Sequence, residues 1–154
     1  MDLTVYTVGP ISGLSYDECV EHFNVRKDKL KAWGYDVLHP MLGKEFLRNE
    51  LSVKSVGYDN QPICTNHAIV QVDFWRVDQA DILFVDFTKA ADRVSIGSVA
   101  EMSRGFQQGK LIITVMPKEN IHQHAFVIEM SSIIFETLDE AFIYFERYKD
   151  TLGK

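Results

Sequence analysis

Ile82-Leu83-Phe84-Val85 and Leu111-Ile112-Ile113-Thr114-Val115 are two short apolar runs, with Ser95 to Gln108 between them. Neither run alternates apolar with polar residues, so each reads as a strand buried on both faces, the habit of parallel sheets. The segment between them reads as a helix that starts near Ser95 or Gly97 and stops at Gly109. Strand, helix, strand in that order predicts a parallel crossover.

Outward from this unit, Leu3-Thr4-Val5-Tyr6-Thr7-Val8 is a third such strand, stopped by Gly9-Pro10. Ser15 with Glu18 makes a capping box, and Cys19, Val20, Phe23, Leu30 and Trp33 recur at roughly helical spacing until Gly34. Tyr35 to Leu38 is a short strand closed by His39-Pro40. A helix over Asn66–Ala80 carries Ala68, Ile69, Val72, Trp75 and Arg76 on shared or adjacent faces. Ile133-Ile134-Phe135 reads as a last strand and Leu138 to Tyr148 as an amphipathic terminal helix, while residues 118–131 read as a polar loop. Residues 41–66 show weak periodicity and read as an active-site lid or wall holding a short helix, since loops of that length in a compact domain are usually functional. The expected fold is α/β, with a doubly wound, mostly parallel sheet of about five strands and helices on both faces, Rossmann- or flavodoxin-like. One domain spanning 1–154 is expected.

The 154 residues are 46% hydrophobic and 25% charged, an ordinary globular balance, with a net charge of -6. That charge excludes a broad basic face, so no nucleic-acid partner is expected. No apolar stretch nears the roughly 20 residues of a bilayer span, so no membrane partner is expected either. Cys19 and Cys64, without a CxxC pair, read as free thiols of a reducing compartment. With no basic leader pattern at the start, the expected location is cytoplasmic.

In a doubly wound sheet, ligands sit beyond the carboxyl ends of the strands, which brings Gly9–Gly13, Asp86–Gly97 and Met116–His124 to one edge. Gly9 and Gly13 let a ligand approach the backbone, although Gly9-Pro10-Ile11-Ser12-Gly13 is not GxGxxG and taken alone reads first as an ordinary turn. Asp73 lies beside the apolar face of its helix, either as a reactive group or as a plain solvated carboxylate. Asp81 reads as a cap before the strand, and Asp78 as surface charge. Small residues open the 95–108 helix and leave N–H groups for an anion. Glu101, about one turn inside, would be held as the anion by that helix end, which suits a nucleophile, or it is a harmless early glutamate. His122 and His124 form a His-x-His without a carboxylate cluster, so no metal is expected.

Val5 to Gly13, then Asp73 with Ala80-Asp81-Ile82-Leu83, then Ser95 to Glu101 resemble, in order and spacing, the nucleoside 2-deoxyribosyltransferase family. That family includes the 2'-deoxynucleoside 5'-monophosphate N-glycosidases, and the resemblance spans roughly residues 3–115. It implies that Glu101 attacks the anomeric carbon and holds a covalent deoxyribosyl intermediate, that Asp73 orients or protonates the leaving base, and that Tyr6 tunes the nucleophile. Ser95, where the transferases of free nucleosides carry Asp, implies a 5'-monophosphate, with Ser98, Ser12 and Arg93 as further donors. Gly9, Ile11, Ser12, Gly13, Asp86, Ser95, Gly97 and Ser98 are thereby candidate substrate contacts, and His124 is a candidate reaching a neighbouring subunit's site. The resemblance further implies a small-molecule deoxynucleoside or deoxynucleotide partner, a homodimer or higher homo-oligomer, and no cofactor. Ser12 departs from the Arg of the mammalian-type N-hydrolases, and the stretch Asp86 to Ser95 is longer than theirs. Two alternatives stand beside it: a non-catalytic nucleotide-sensing module with the same pocket, and an α/β protein in which Glu101 is only structural.

Overall fold

A computed structural model describes residues 2–90 and 92–152. Five strands, β1 (Thr4–Val8), β2 (Asp36–Leu38), β3 (Ile82–Asp86), β4 (Leu111–Val115) and β5 (Ile133–Phe135), pair throughout as parallel neighbours in the order β2-β1-β3-β4-β5. The helices are α1 (Tyr16–Ala32), α2 (Asn66–Gln79), α3 (Ile96–Gln107), α4 (Ala125–Met130) and α5 (Leu138–Leu152). This is the flavodoxin-like order, whose topological switch point lies between the first and third strands.

The central strands look uniformly apolar because both of their faces are covered. On one face Tyr6, Val8, Leu83 and Val85 pack with Val77, Met102, Val127 and Met130 from α2, α3 and α4. On the other, Val5, Ile82 and Phe84 pack with Leu30, Phe142 and Phe145 from α1 and α5. Alternate residues of β3 thus serve opposite cores, the two-residue period of a pleated strand. The Ser15 hydroxyl accepts the Glu18 N–H at 3.2 Å while Glu18 accepts the Ser15 N–H at 2.7 Å, closing the capping box of α1. Thr65 caps α2 by accepting from the Ala68 N–H. Among the described residues, no helix is long and apolar enough to cross a membrane.

The expected polar loop over 118–131 contains α4. His124 accepts the Phe126 N–H at 3.2 Å, and Val127 and Met130, three apart, bury themselves in the core beside α3. The terminal helix runs on to Leu152. Residues 41–66 hold two short 3-10 turns, Glu45–Leu47 and Pro62–Cys64. Met41, Leu47 and Val53 from this segment form a third core with Cys19 and Phe23 of α1. Asp81 accepts the Thr4 N–H at 2.9 Å ahead of β3. Asp78 is more than surface charge: Arg104 donates to it through two nitrogens at 2.7 Å each, and Gln108 donates at 2.6 Å, tying α2 to α3.

The carboxyl end of β1 and the middle of β3 are held together by one buried guanidinium. Arg26 of α1 donates from a single nitrogen to the Val8 carbonyl at 2.9 Å and the Phe84 carbonyl at 2.8 Å. Its counter-charge is Asp86, 4.0 Å away, which also faces His22 at 3.5 Å and accepts from the Thr88 N–H and hydroxyl. Burial, then the Arg26 charge, lowers the His22 pKa to about 3, so the imidazole is neutral. A Cβ at Gly9 would lie 2.5 Å from His22 Nε2 and 2.9 Å from the Asp86 carbonyl oxygen. Packing against this cluster, and not ligand approach alone, therefore demands glycine there. Replacing Arg26 by Met removes the donor to both carbonyls and strands Asp86 in the interior. The expected loss is roughly 3–5 kcal/mol, read as a lower midpoint in urea denaturation.

Candidate active site

Chains leaving β1 and β3 in different directions open a crevice at the switch point, as open α/β sheets do. The crevice holds a cavity of about 810 Å³, in the range of small-molecule sites. Its walls are the loop after β1, the segment 41–58, the inner face of α2, the loop after β3 and the first turns of α3. Among the expected site residues, Gly9, Ile11, Ser12, Gly13, Asp73, Ser95, Gly97, Ser98 and Glu101 all border it.

Glu101 and Asp73 come to this cavity from different helices. Behind Glu101, the Tyr6 side chain rises from β1 with its hydroxyl wholly buried. The Tyr6 hydroxyl and Glu101 Oε2 are both sealed from solvent without a formed hydrogen bond among the described residues. Such orphaned buried groups are uncommon in folded proteins and call for a reason. Their proximity still registers electrostatically. Burial, then the charges of Glu101 and Asp73, holds the Tyr6 hydroxyl well above its ordinary pKa. Burial, then the Asp73 charge, pushes Glu101 up to about 8. Asp73 is raised by burial, against the opposing positive charges of Lys44 and Arg76. Against the expectation that the helix start favours the Glu101 anion, burial favours the protonated form. Glu101 lies in the second turn of α3, where the helix-end field has faded and desolvation dominates.

Arg76 donates to Asp73 Oδ1 at 3.3 Å and, through its other terminal nitrogen, to the Leu42 carbonyl at 3.2 Å. It thus clamps the acid to the wall of residues 41–58. Lys44, which sequence reasoning missed, lies on that wall with only 7% of its surface exposed. Nothing in the sequence marked it, because a single lysine in an aperiodic segment carries no spacing signal. Lys54, Lys89 and Arg93 also border the cavity. The Arg93 guanidinium carbon lies 3.5 Å from where a Gly13 Cβ would stand, and Gly13 adopts a φ of +87°, which only glycine takes easily.

One expected contact lies elsewhere. Asp86 is turned away from the cavity into the Arg26 and His22 cluster, because the buried guanidinium needs its charge. His124 is exposed and caps α4, and it does not line this chain's cavity. Among the described residues, no three His, Cys, Asp or Glu side chains gather where they could hold a metal ion.

Solved structures show where this architecture recurs. A 2-deoxyribosyltransferase from Bacillus psychrosaccharolyticus matches with a TM-score of 0.63 at 18% identity, over 90% of each chain. The fold is shared. A CMP N-glycosidase from Clostridium botulinum, BcmB, matches at 0.59 and 14% identity, over 94% of this chain and 98% of its own. A conserved protein from Enterococcus faecalis matches at 0.52 and 12% identity, over 97% and 89% of the two chains. No family model matches the chain, and no curated protein does.

The desolvated carboxyl has a stability signature. With Glu101 titrating near 8 in the fold and near 4.5 when unfolded, the native state holds the extra proton between those values, so its contribution to stability is lost as pH rises. Glu101→Gln removes that loss. Thermal denaturation should show the variant gaining on the parent from pH 5 to pH 8, by on the order of a few kcal/mol.

Proposed function

We propose that this chain cleaves the N-glycosidic bond of 2'-deoxynucleosides or their 5'-monophosphates, passing the sugar through a deoxyribosyl ester of Glu101 to water or another base. Hydrolysis of the monophosphate is the favoured course. The observation that carries this reading is the convergence of Glu101 and Asp73 on one cavity, with the Tyr6 hydroxyl buried behind the first. The fold shared with a 2-deoxyribosyltransferase and a CMP N-glycosidase supports it.

Two mutually repelling, desolvated carboxylates hold one proton between them near neutral pH. In the reactive arrangement Asp73 carries that proton and Glu101 is ionised. A Glu101 oxygen bonds to the anomeric carbon as the bond to the base breaks. The freed electron pair stays on the base nitrogen, which takes the Asp73 proton. Water then attacks the same carbon from the side the base left, gives its proton to Asp73, and releases Glu101 as carboxylate. Two inversions give net retention, as in retaining glycosidases. A sugar without a 2'-hydroxyl ionises more readily at this carbon and leaves room for the carboxylate. Lys54, Lys89 and Arg93 on the wall, with the Ser95 and Ser98 hydroxyls, supply the positive and donor groups that suit a 5'-phosphate.

Chromatography of free base from a panel of deoxynucleosides and monophosphates, with and without a competing base, tests the reading. Glu101→Ala should lower base release by about 10³-fold or more with the fold intact. Intact protein with a 2-fluoro sugar substrate should yield an adduct on the Glu101 peptide. Binding without base release by the wild type would instead favour the nucleotide-sensing module. Asp73→Asn should lower release of an ordinary base by roughly 10²–10⁴-fold but spare a substrate with an activated leaving base. The rate as a function of pH should be bell-shaped, falling above about 8 as the shared proton leaves and falling again in acid as both groups are protonated.

A further inference from the structure

His122 has only 1% of its surface exposed, lies outside the cavity wall and has no part in the chemistry above, yet both of its ring nitrogens are engaged. The Asn120 amide nitrogen donates to the Phe87 carbonyl at 2.9 Å, which fixes that amide with its oxygen toward His122. The Asn120 oxygen then accepts from the His122 backbone N–H at 2.9 Å and from ring Nδ1 at 3.0 Å. Nδ1 therefore carries the hydrogen, and Nε2 is left as an acceptor. Nε2 takes the Ser95 backbone N–H at 2.7 Å. The ring stacks on Phe87 at 3.9 Å between centroids and 14° between planes, so it cannot pivot away. Burial lowers its pKa, in keeping with the neutral form.

The consequence falls on Ser95. A serine at a helix start ordinarily turns its hydroxyl onto an N–H of the first turn. Ser95 makes no such bond: its hydroxyl meets that of Ser98 at 2.7 Å, and both residues border the cavity. The first turn of α3 is thereby left without a side-chain cap. We propose that His122 is a positioning residue, whose Nδ1-protonated ring pins the Ser95 N–H so that the Ser95 hydroxyl and the uncapped turn of α3 stay presented to an anionic group of the substrate. This rests on the reading that the cavity takes a deoxynucleotide.

The test uses His122→Phe, which keeps the stack on Phe87 but loses both ring bonds, and His122→Gln, whose amide can accept from Ser95 and donate to Asn120. Affinities for a deoxynucleoside 5'-monophosphate and for the matching nucleoside are measured by calorimetry in a Glu101→Ala background, so the result does not depend on turnover. His122→Phe should weaken the monophosphate about tenfold or more, the scale of a lost hydrogen bond to a charged group, and leave the nucleoside unchanged. His122→Gln should restore it. Nitrogen-15 spectra of the wild type should show Nε2 unprotonated at neutral pH. Equal losses for both ligands, no loss, failure of the glutamine to rescue, no binding of the monophosphate by the parent, or a protonated Nε2 would each overturn the inference. Wild-type protein that binds the monophosphate yet releases no base would defeat the catalytic reading and leave this one standing.

Discussion

A guanidinium sealed in the interior, donating at once to the last carbonyl of one strand and a mid-strand carbonyl of its neighbour, is the constraint on which the site depends. Arg26 reaches Val8 and Phe84, and it requires Asp86 as counter-charge and His22 as a neutral neighbour. Desolvating an arginine so completely is costly unless its donors are met and its charge is balanced. Its shared donor bonds tie β1 to β3 close to where their loops diverge, while its Nε stays without a hydrogen-bond partner among the described residues. It also dictates glycine at position 9, because the cluster occupies the space of a side chain. The crevice is shaped from below by charges that never touch its contents.

Above that floor the balance runs the other way. Glu101, Asp73 and Tyr6 gather acidic groups in a dry wall, where burial favours their protonated forms, and Lys44 and Arg76 offset only part of that preference. An ordinary folded core would have paired these groups or replaced them with hydrocarbon. A glutamate retained with an unpartnered oxygen is strained in the electrostatic sense.

Much of this was legible in the chain. Uniformly apolar runs such as Leu83 to Val85 betray strands covered on both faces, and the Ser15 and Glu18 pair marks a helix start. Asp73 and Glu101, left ambiguous by spacing and paired only by the family resemblance, border the same cavity. Other features were not legible, for physical reasons. Asp86 read as a ligand contact because a carboxylate at a strand end usually faces the crevice, and only the position of Arg26, sixty residues earlier, turns it inward. The helix α4 was hidden because two turns of apolar residues followed a polar run, too short for a period to emerge. Lys44 and the His122 bond to Ser95 depend on long-range juxtaposition that no local pattern encodes.

One contact joins two properties usually treated as separate. Arg76 grips the Asp73 carboxylate with one nitrogen and the Leu42 carbonyl with another. The same guanidinium therefore holds the acid of α2 and the backbone of the facing wall in one arrangement. The shape of the enclosure and the acidity of Asp73 thus share one side chain: the guanidinium that fixes the Leu42 backbone also favours the charged aspartate, alongside Lys44.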